Sequence, residues 1–296
     1  MPIAQRERAD DAVLQLTVGQ TLEVGSVVAV LRYPLKSAQG ERLQSVAVDP
    51  EGLRGDRAWA CVDLSDGTVG SAKHPRRWGR LLEVTARVDD RDGTGCVLIE
   101  VAGRQQAAGS AEADAAVSEH LGRAVRLTAV VPEQARLHRQ LPDDQGMVPE
   151  WMSDTTAGQE MVTEVSGALP GGRFVDFGAV HLVTTGALAA LARQVGRAHV
   201  DALRFRPNIV LDAPHDPEPG RELRIGELVL RVVLPTPRCV VPGLSPDHTA
   251  PLDRQLLGVL ARHHRTAVGD LGVAACFGVY AEVLHPGPLE LGQRVQ

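Results

Sequence analysis

Residues 26–63 read SVVAVLRYPLKSAQGERLQSVAVDPEGLRGDRAWACVD, and the spacing of apolar residues in this stretch decides the fold. Ser26 to Lys36 is rich in β-branched and aliphatic residues and contains Pro34, a marker of an edge or a loop. Gln44 to Asp49 alternates polar and apolar side chains and closes on Pro50–Glu51–Gly52, a turn sequence. Arg57 to Asp63 alternates again and stops at Ser65–Asp66–Gly67. Period-2 alternation belongs to strands, because successive side chains point to opposite faces.

The pattern continues outward. Leu81 to Val88 and Cys96 to Val101 read as short strands around a turn at Asp92–Gly93, and Val125 to Val131 reads as another. Between them Ala111 to Leu121 has helical spacing. Short strands at intervals of about ten residues predict a small barrel or sandwich. Residues 132–172 are polar, carry Pro and Gly and follow neither period, so they read as a connection or a covering loop. Beyond them Val180 to Thr184 predicts a strand and Gly186 to Val195 a helix, with Leu188, Leu191, Ala192 and Val195 on one face. Asn208 to Asp212, Leu223 to Val233, Arg238 to Val241, Phe277 to Leu284 and Pro288 to Val295 read as strands, and Leu252 to His263 as a second helix. The fold class expected is predominantly β with a few helices, an α+β arrangement.

Composition narrows the function. Lys+Arg 31 against Asp+Glu 37 leaves a formal charge of −6, the wrong sign for a general nucleic-acid binder. Aromatic residues make up only 3% of the chain, too few for a base-stacking surface. No stretch reaches 18 uninterrupted apolar residues, and the first twenty residues hold no apolar signal-peptide core. The expectation is a cytoplasmic protein with neither a membrane nor a nucleic acid as partner. The four cysteines, Cys61, Cys96, Cys239 and Cys276, form no C-x-x-C, which argues against a zinc ribbon or a redox pair. The sequence also lacks G-x-G-x-x-G, the phosphate loop, H-E-x-x-H and G-x-S-x-G; the nearest approach is Gly93–Thr94–Gly95. His74, His181 and His248 stand apart, each reading as an ordinary surface or core histidine.

What remains is a set of cations beside small polar residues at strand ends. Lys36–Ser37 follows Tyr33–Pro34, Arg57 follows Gly55–Asp56, Arg206–Pro207–Asn208 precedes a strand, and Arg238–Cys239 follows Pro235–Thr236–Pro237. Rigid Pro-bearing turns that present cations suit a planar, anionic ligand. Taken singly, Cys239 reads equally as a small buried hydrophobe. Arg57 also reads as the partner of Asp56 or Glu51, and Asn208 as a turn residue bonded to its own backbone.

These residues carry a resemblance. Tyr33–Pro34–Leu35–Lys36–Ser37 and Gly52–Leu53–Arg54–Gly55–Asp56–Arg57–Ala58–Trp59 resemble the N-terminal barrel domain of the MOSC proteins. Phe205–Arg206–Pro207–Asn208–Ile209–Val210, Arg224–Ile225–Gly226, Arg238–Cys239, Phe277–Gly278–Val279–Tyr280–Ala281 and Leu291–Gly292–Gln293–Arg294–Val295 resemble the MOSC domain itself. The resemblance implies a tail at 1–21, an N-terminal β-barrel-like domain at 22–135, a connecting segment at 136–172 and a C-terminal MOSC β-barrel domain at 173–296. It further implies a molybdenum–molybdopterin cofactor, as in the mitochondrial amidoxime reducing component and its bacterial relatives. By position, Cys239 becomes the metal ligand and catalytic residue. Lys36, Ser37, Arg57, Arg206, Asn208 and Arg238 become cofactor-binding residues, with Thr184 a further candidate.

A thiolate is a soft donor suited to such a metal, and a neighbouring arginine favours its deprotonated form. The implied activity is reduction of an N-hydroxylated or N-/S-oxygenated small-molecule substrate. No C-x₄-C-x₂-C follows residue 239, so the electrons are expected from an external flavin or iron–sulfur reductase. Pro237 and the segment Lys73–His74–Pro75–Arg76–Arg77–Trp78 depart from the reductase pattern. Two alternatives stay open: a sulfur carrier or sulfurtransferase holding a Cys239 persulfide without molybdenum, and a non-catalytic anion-binding MOSC module.

Overall fold

The alternating segments assemble into five sheets among the described residues. A computed structural model describes residues 25–90, 95–165 and 172–296. The expected tail at 1–21 and the turn at Asp92–Gly93 lie outside these residues. The largest sheet runs, from edge to edge, through Glu222–Ile225, Leu228–Pro237, Val273–His285, Val180–Thr184, Ile209–Leu211, Val27–Arg32 and Glu41–Leu43, with Arg265–Ala267 added to the start of Val273–His285. All its pairings are antiparallel except Val180–Thr184 with Ile209–Leu211, which the helix Thr185–Gln194 separates in sequence. Parallel neighbours need such a crossover. Val27–Arg32, from the first half of the chain, thus pairs with Ile209–Leu211 from the second.

Alternation along the strands feeds two cores. Val30, Leu182, Ile209 and Leu211 point to one face, where Val46, Val48, Leu53 and Leu289 cover them. Leu31, Val183 and Val210 point to the other, onto Leu191 of the helix Thr185–Gln194 and Leu256, Leu257 and Leu260 of the helix Arg254–His263. Each fully buried aliphatic side chain here contributes roughly 1.5–3 kcal/mol. A third core, with Leu35, Trp78, Leu81, Ile99, Val117 and Leu127, lies under the helix Ala111–Leu121.

The fold class is as expected: mostly strands, with four helices among the described residues. The ladders stay open; no sheet closes on itself among those residues. No helix there is long and apolar enough to cross a membrane. Four local readings change. Leu223 to Val233 is not one strand but a hairpin of Glu222–Ile225 with Leu228–Pro237, turned at Gly226–Glu227. Leu81 to Val88 splits into a 3₁₀ turn, Gly79–Glu83, and a strand, Thr85–Asp89, because the consecutive Leu81 and Leu82 are both buried, which a half-exposed strand does not allow. Residues 132–172 contain a hairpin, Arg136–Gln140 with Glu160–Glu164, whose partners lie too far apart in sequence for local period to reveal. Arg238 to Val241 is not a strand: the ladder ends at Pro237, and a 3₁₀ turn, Val241–Gly243, follows.

Candidate functional site

Two stretches of the first half are laced together by their main chains. Lys36 N–H donates to the Trp59 carbonyl (2.8 Å), Trp59 N–H to Pro34 (2.9 Å) and Arg57 N–H to Tyr33 (2.8 Å). This lacing holds unusual backbone. Five non-glycine residues among those described have positive φ, and three of them are candidates: Ser37 (65°), Arg57 (47°) and Arg206 (54°). Such conformations cost free energy for a residue with a Cβ and cluster where geometry serves a site.

The same folding brings the candidates to one cavity of about 410 Å³, lined by Lys36, Ser37, Arg57, Arg206, Asn208, Arg238 and Cys239. Thr184 is the exception. It is fully buried, donates its hydroxyl to Asp216 (2.9 Å) and accepts from Ala187 N–H as the N-cap of the helix Thr185–Gln194. A Thr just before an apolar helical run is a capping signal, and the cap is its role here.

The lining is basic. Lys36, Lys73, Arg57, Arg139, Arg204, Arg206 and Arg238 face one carboxylate, Asp176, among the described residues. Lys36 is 4% exposed and donates to the Phe174 carbonyl (2.9 Å) and to Asp176 (2.7 Å). Burial pushes its ammonium down, and Asp176 opposes this. Burial alone would raise Asp176, but Lys36 and Lys73 overcome it and hold the carboxyl well below the usual range. Arg57 is neutralised by Asp56, which outweighs the effect of burial and leaves the guanidinium above its ordinary value. Arg57 also donates to Asn208 Oδ1 (3.1 Å) and to the Arg206 carbonyl (3.0 Å).

Asn208 is turned inward, at 1% exposure. Its Oδ1 accepts from Arg57 and from His181 N–H (3.1 Å), and its Nδ2 donates to the Leu31 carbonyl (3.3 Å). It therefore ties three elements together at the cavity wall.

Arg206 and Arg238 differ from Arg57. Arg206 donates to the Ala38 carbonyl (2.7 Å) and lies over the Tyr33 ring at 4.3 Å. Arg238 donates to the carbonyls of Phe277 (2.8 Å from Nε) and Phe205 (3.3 Å) and to His181 Nε2. Neither has an ion-pair partner among the described residues. Burial lowers both, Arg206 to about 10.

Sequence reasoning missed His181, Asp176 and Arg139. His181 had one signal: it is a polar residue at the second position of VHLVT, a strand buried at every position. Gly278 makes room for it. With φ at +72°, a Cβ there would stand 2.7 Å from His181 Nε2 and 2.5 Å from the Leu182 carbonyl.

Cys239 is the one cysteine among the cavity-lining residues, half-buried beside Arg238. Cys61 and Cys276 are buried, and burial raises both thiols, Cys276 to about 12. No three His, Cys, Asp or Glu side chains among the described residues converge to hold a metal by themselves.

Two family profiles match the chain: the MOSC N-terminal beta barrel domain at residues 24–154 and the MOSC domain at 172–296. Between them they cover nearly the whole sequence, and the chain belongs to the MOSC family. Among solved structures it resembles the YUAD protein from Bacillus subtilis, at 11% identity over 92% of this chain and 94% of that one, with a TM-score of 0.43. It also resembles YiiM from Geobacillus stearothermophilus, at 19% identity over 40% of this chain and 53% of that one, with a TM-score of 0.29. Likenesses of this size carry no argument about the site. No curated protein sequence matches the chain.

Proposed function

We propose that this MOSC protein holds a molybdenum–molybdopterin cofactor in the cavity. With it, the protein would reduce an N-hydroxylated or N-/S-oxygenated small molecule, using electrons from a separate flavin or iron–sulfur reductase. The observation that carries this reading is the pairing of a cavity-facing thiol, Cys239, with two guanidinium groups, Arg206 and Arg238, that have only carbonyl, imidazole and ring partners. A partly buried cation without an anion is costly, so the site is built to receive negative charge.

The donor set fits the group. One soft thiolate without a converging protein ligand set suits a metal that arrives with sulfur ligands of its own. Arg206, Arg238 and Lys36 would hold the pterin and its phosphate, with Ser37 nearby. Asn208 and Arg57 act behind them, as positioning residues that keep the Arg206 carbonyl and the His181 strand in place. When bound, the cofactor would supply two-electron oxygen-atom chemistry, with two protons and the released oxygen leaving as water. His181 stays neutral beside Arg238 and leaves the positive charge on the guanidinium. In this reading residues 22–135 and 173–296 form two domains joined by 136–172, and both line the site.

The test is elemental analysis for molybdenum, with fluorescent detection of oxidised pterin, on the purified wild-type chain and on Cys239→Ser. Molybdenum and pterin are expected in the wild type, with metal or turnover lost in the variant. Equal metal and equal turnover in both would overturn the role of Cys239. A labile sulfur adduct on Cys239 in a molybdenum-free chain would replace this reading with sulfur transfer.

A further inference from the structure

The cavity has a second wall, unlike the cationic one. Of the nine aromatic residues in this aromatic-poor chain, Trp151, Phe174, Phe177, Phe205 and Tyr280 line it. Phe174 and Phe205 are buried, but Trp151 is 41% exposed and Phe177 42%. Leu271, from a third segment, adds an apolar side chain 48% exposed. Exposed large apolar groups scattered singly over a surface need no explanation; three converging on one basic cavity do. Phe177 and Tyr280 are in ring contact, their centroids 5.7 Å apart and their planes tilted by 32°.

This wall is held in place. Glu150, next to Trp151, accepts from Val273 N–H (2.7 Å), and Met147 on the same segment is buried in the core under the Arg254–His263 helix. The segment that carries Trp151 is therefore anchored, which reduces the ordering cost of binding a flat molecule.

One cation belongs to this wall. Arg139 lines the cavity, and its Nη1 makes a long donation to Met152 Sδ (3.9 Å), beside Trp151. Its Nε is shut off from solvent and meets no acceptor.

We infer that the substrate is a planar aromatic compound bearing a carboxylate or similar anionic group, its ring against Trp151 and Phe177 and its charge on Arg139. This inference rests on reading the cavity as the reaction site. The aromatic faces select a flat apolar body, and Arg139 selects an anion at its edge.

Calorimetric titration of the purified full chain with 2-naphthoate tests this, with 2-naphthamide as the uncharged match and cyclohexanecarboxylate as the non-aromatic one. Naphthoate is expected to bind about tenfold or more tightly than either. Arg139→Gln is expected to erase the preference over the amide. Trp151→Leu is expected to erase the preference over the alicyclic acid, while Trp151→Phe retains it. Equal affinity for the three compounds, or preferences untouched by these variants, would overturn the inference. The titration does not depend on metal, so molybdenum analysis of the same preparation judges the cofactor reading separately.

Discussion

Arg238 donates from Nη2 to Nε2 of His181, while Nδ1–H of the same ring faces the Arg206 carbonyl at 3.3 Å. This pair of contacts assigns the ring its Nδ1-protonated, uncharged form. Burial first, and the Arg238 charge second, hold the imidazole well below its ordinary value of 6.5.

A pH dependence follows. The unfolded chain takes up a proton at His181 near 6.5 that the folded chain refuses, so stability falls as pH drops below that value. His264, lowered by burial and by His263, adds to the same slope. Thermal melts between about pH 7 and pH 5 are expected to show a shallower decline for His181→Gln, which keeps an acceptor without a titrating ring. Identical slopes for the variant and the wild type would contradict the buried neutral imidazole.

Asp56 is the anchor of the first-half turns. It is 1% exposed, accepts from Tyr33 N–H (2.8 Å) and pairs with Arg57. Asp56→Ala would leave a donor and a guanidinium unmatched inside the protein, at a cost of about 3–5 kcal/mol. Urea unfolding measures it; a loss within experimental error would show that the pair is dispensable.

Gly278 tolerates no side chain. Its φ of +72° and the proximity of His181 Nε2 and the Leu182 carbonyl leave no space for a methyl group. Gly278→Ala is expected to destabilise by about 1–3 kcal/mol or more, and to weaken anion binding by displacing the His181–Arg238 pair. Melting temperature and phosphate titration read the two effects independently.

The uncompensated Arg206 and Arg238 make the cofactor-free chain sensitive to anions. Inorganic phosphate at about one hundred times its Kd should add about 2.7 kcal/mol of stability. The double variant Arg206→Gln, Arg238→Gln should lose most of that gain. A melting temperature indifferent to phosphate in the wild type would argue against an anion-seeking cavity.

Much of this was legible in the sequence. Period-2 alternation marked the strands Ser45–Asp49 and Ala60–Asp63, and 3.6-residue spacing marked Ala111–Leu121, because side-chain direction repeats locally. The stretches 33–37, 52–59, 205–210 and 238–239 stood out because each sets a cation close to proline or glycine at a strand end. Tertiary structure decided what local period cannot carry: which distant segments pair, as in the hairpin of Arg136–Gln140 with Glu160–Glu164, and which polar groups find partners. Asn208 and Thr184 spend their side chains inside the protein, whereas the pairing of Arg57 with its neighbour Asp56 was already open in the sequence. Arg206 and Arg238 find only carbonyls, an imidazole and an aromatic ring. For Arg206 and Arg238 the match depends on what long-range packing places within a few ångströms, and no neighbour in the chain encodes that.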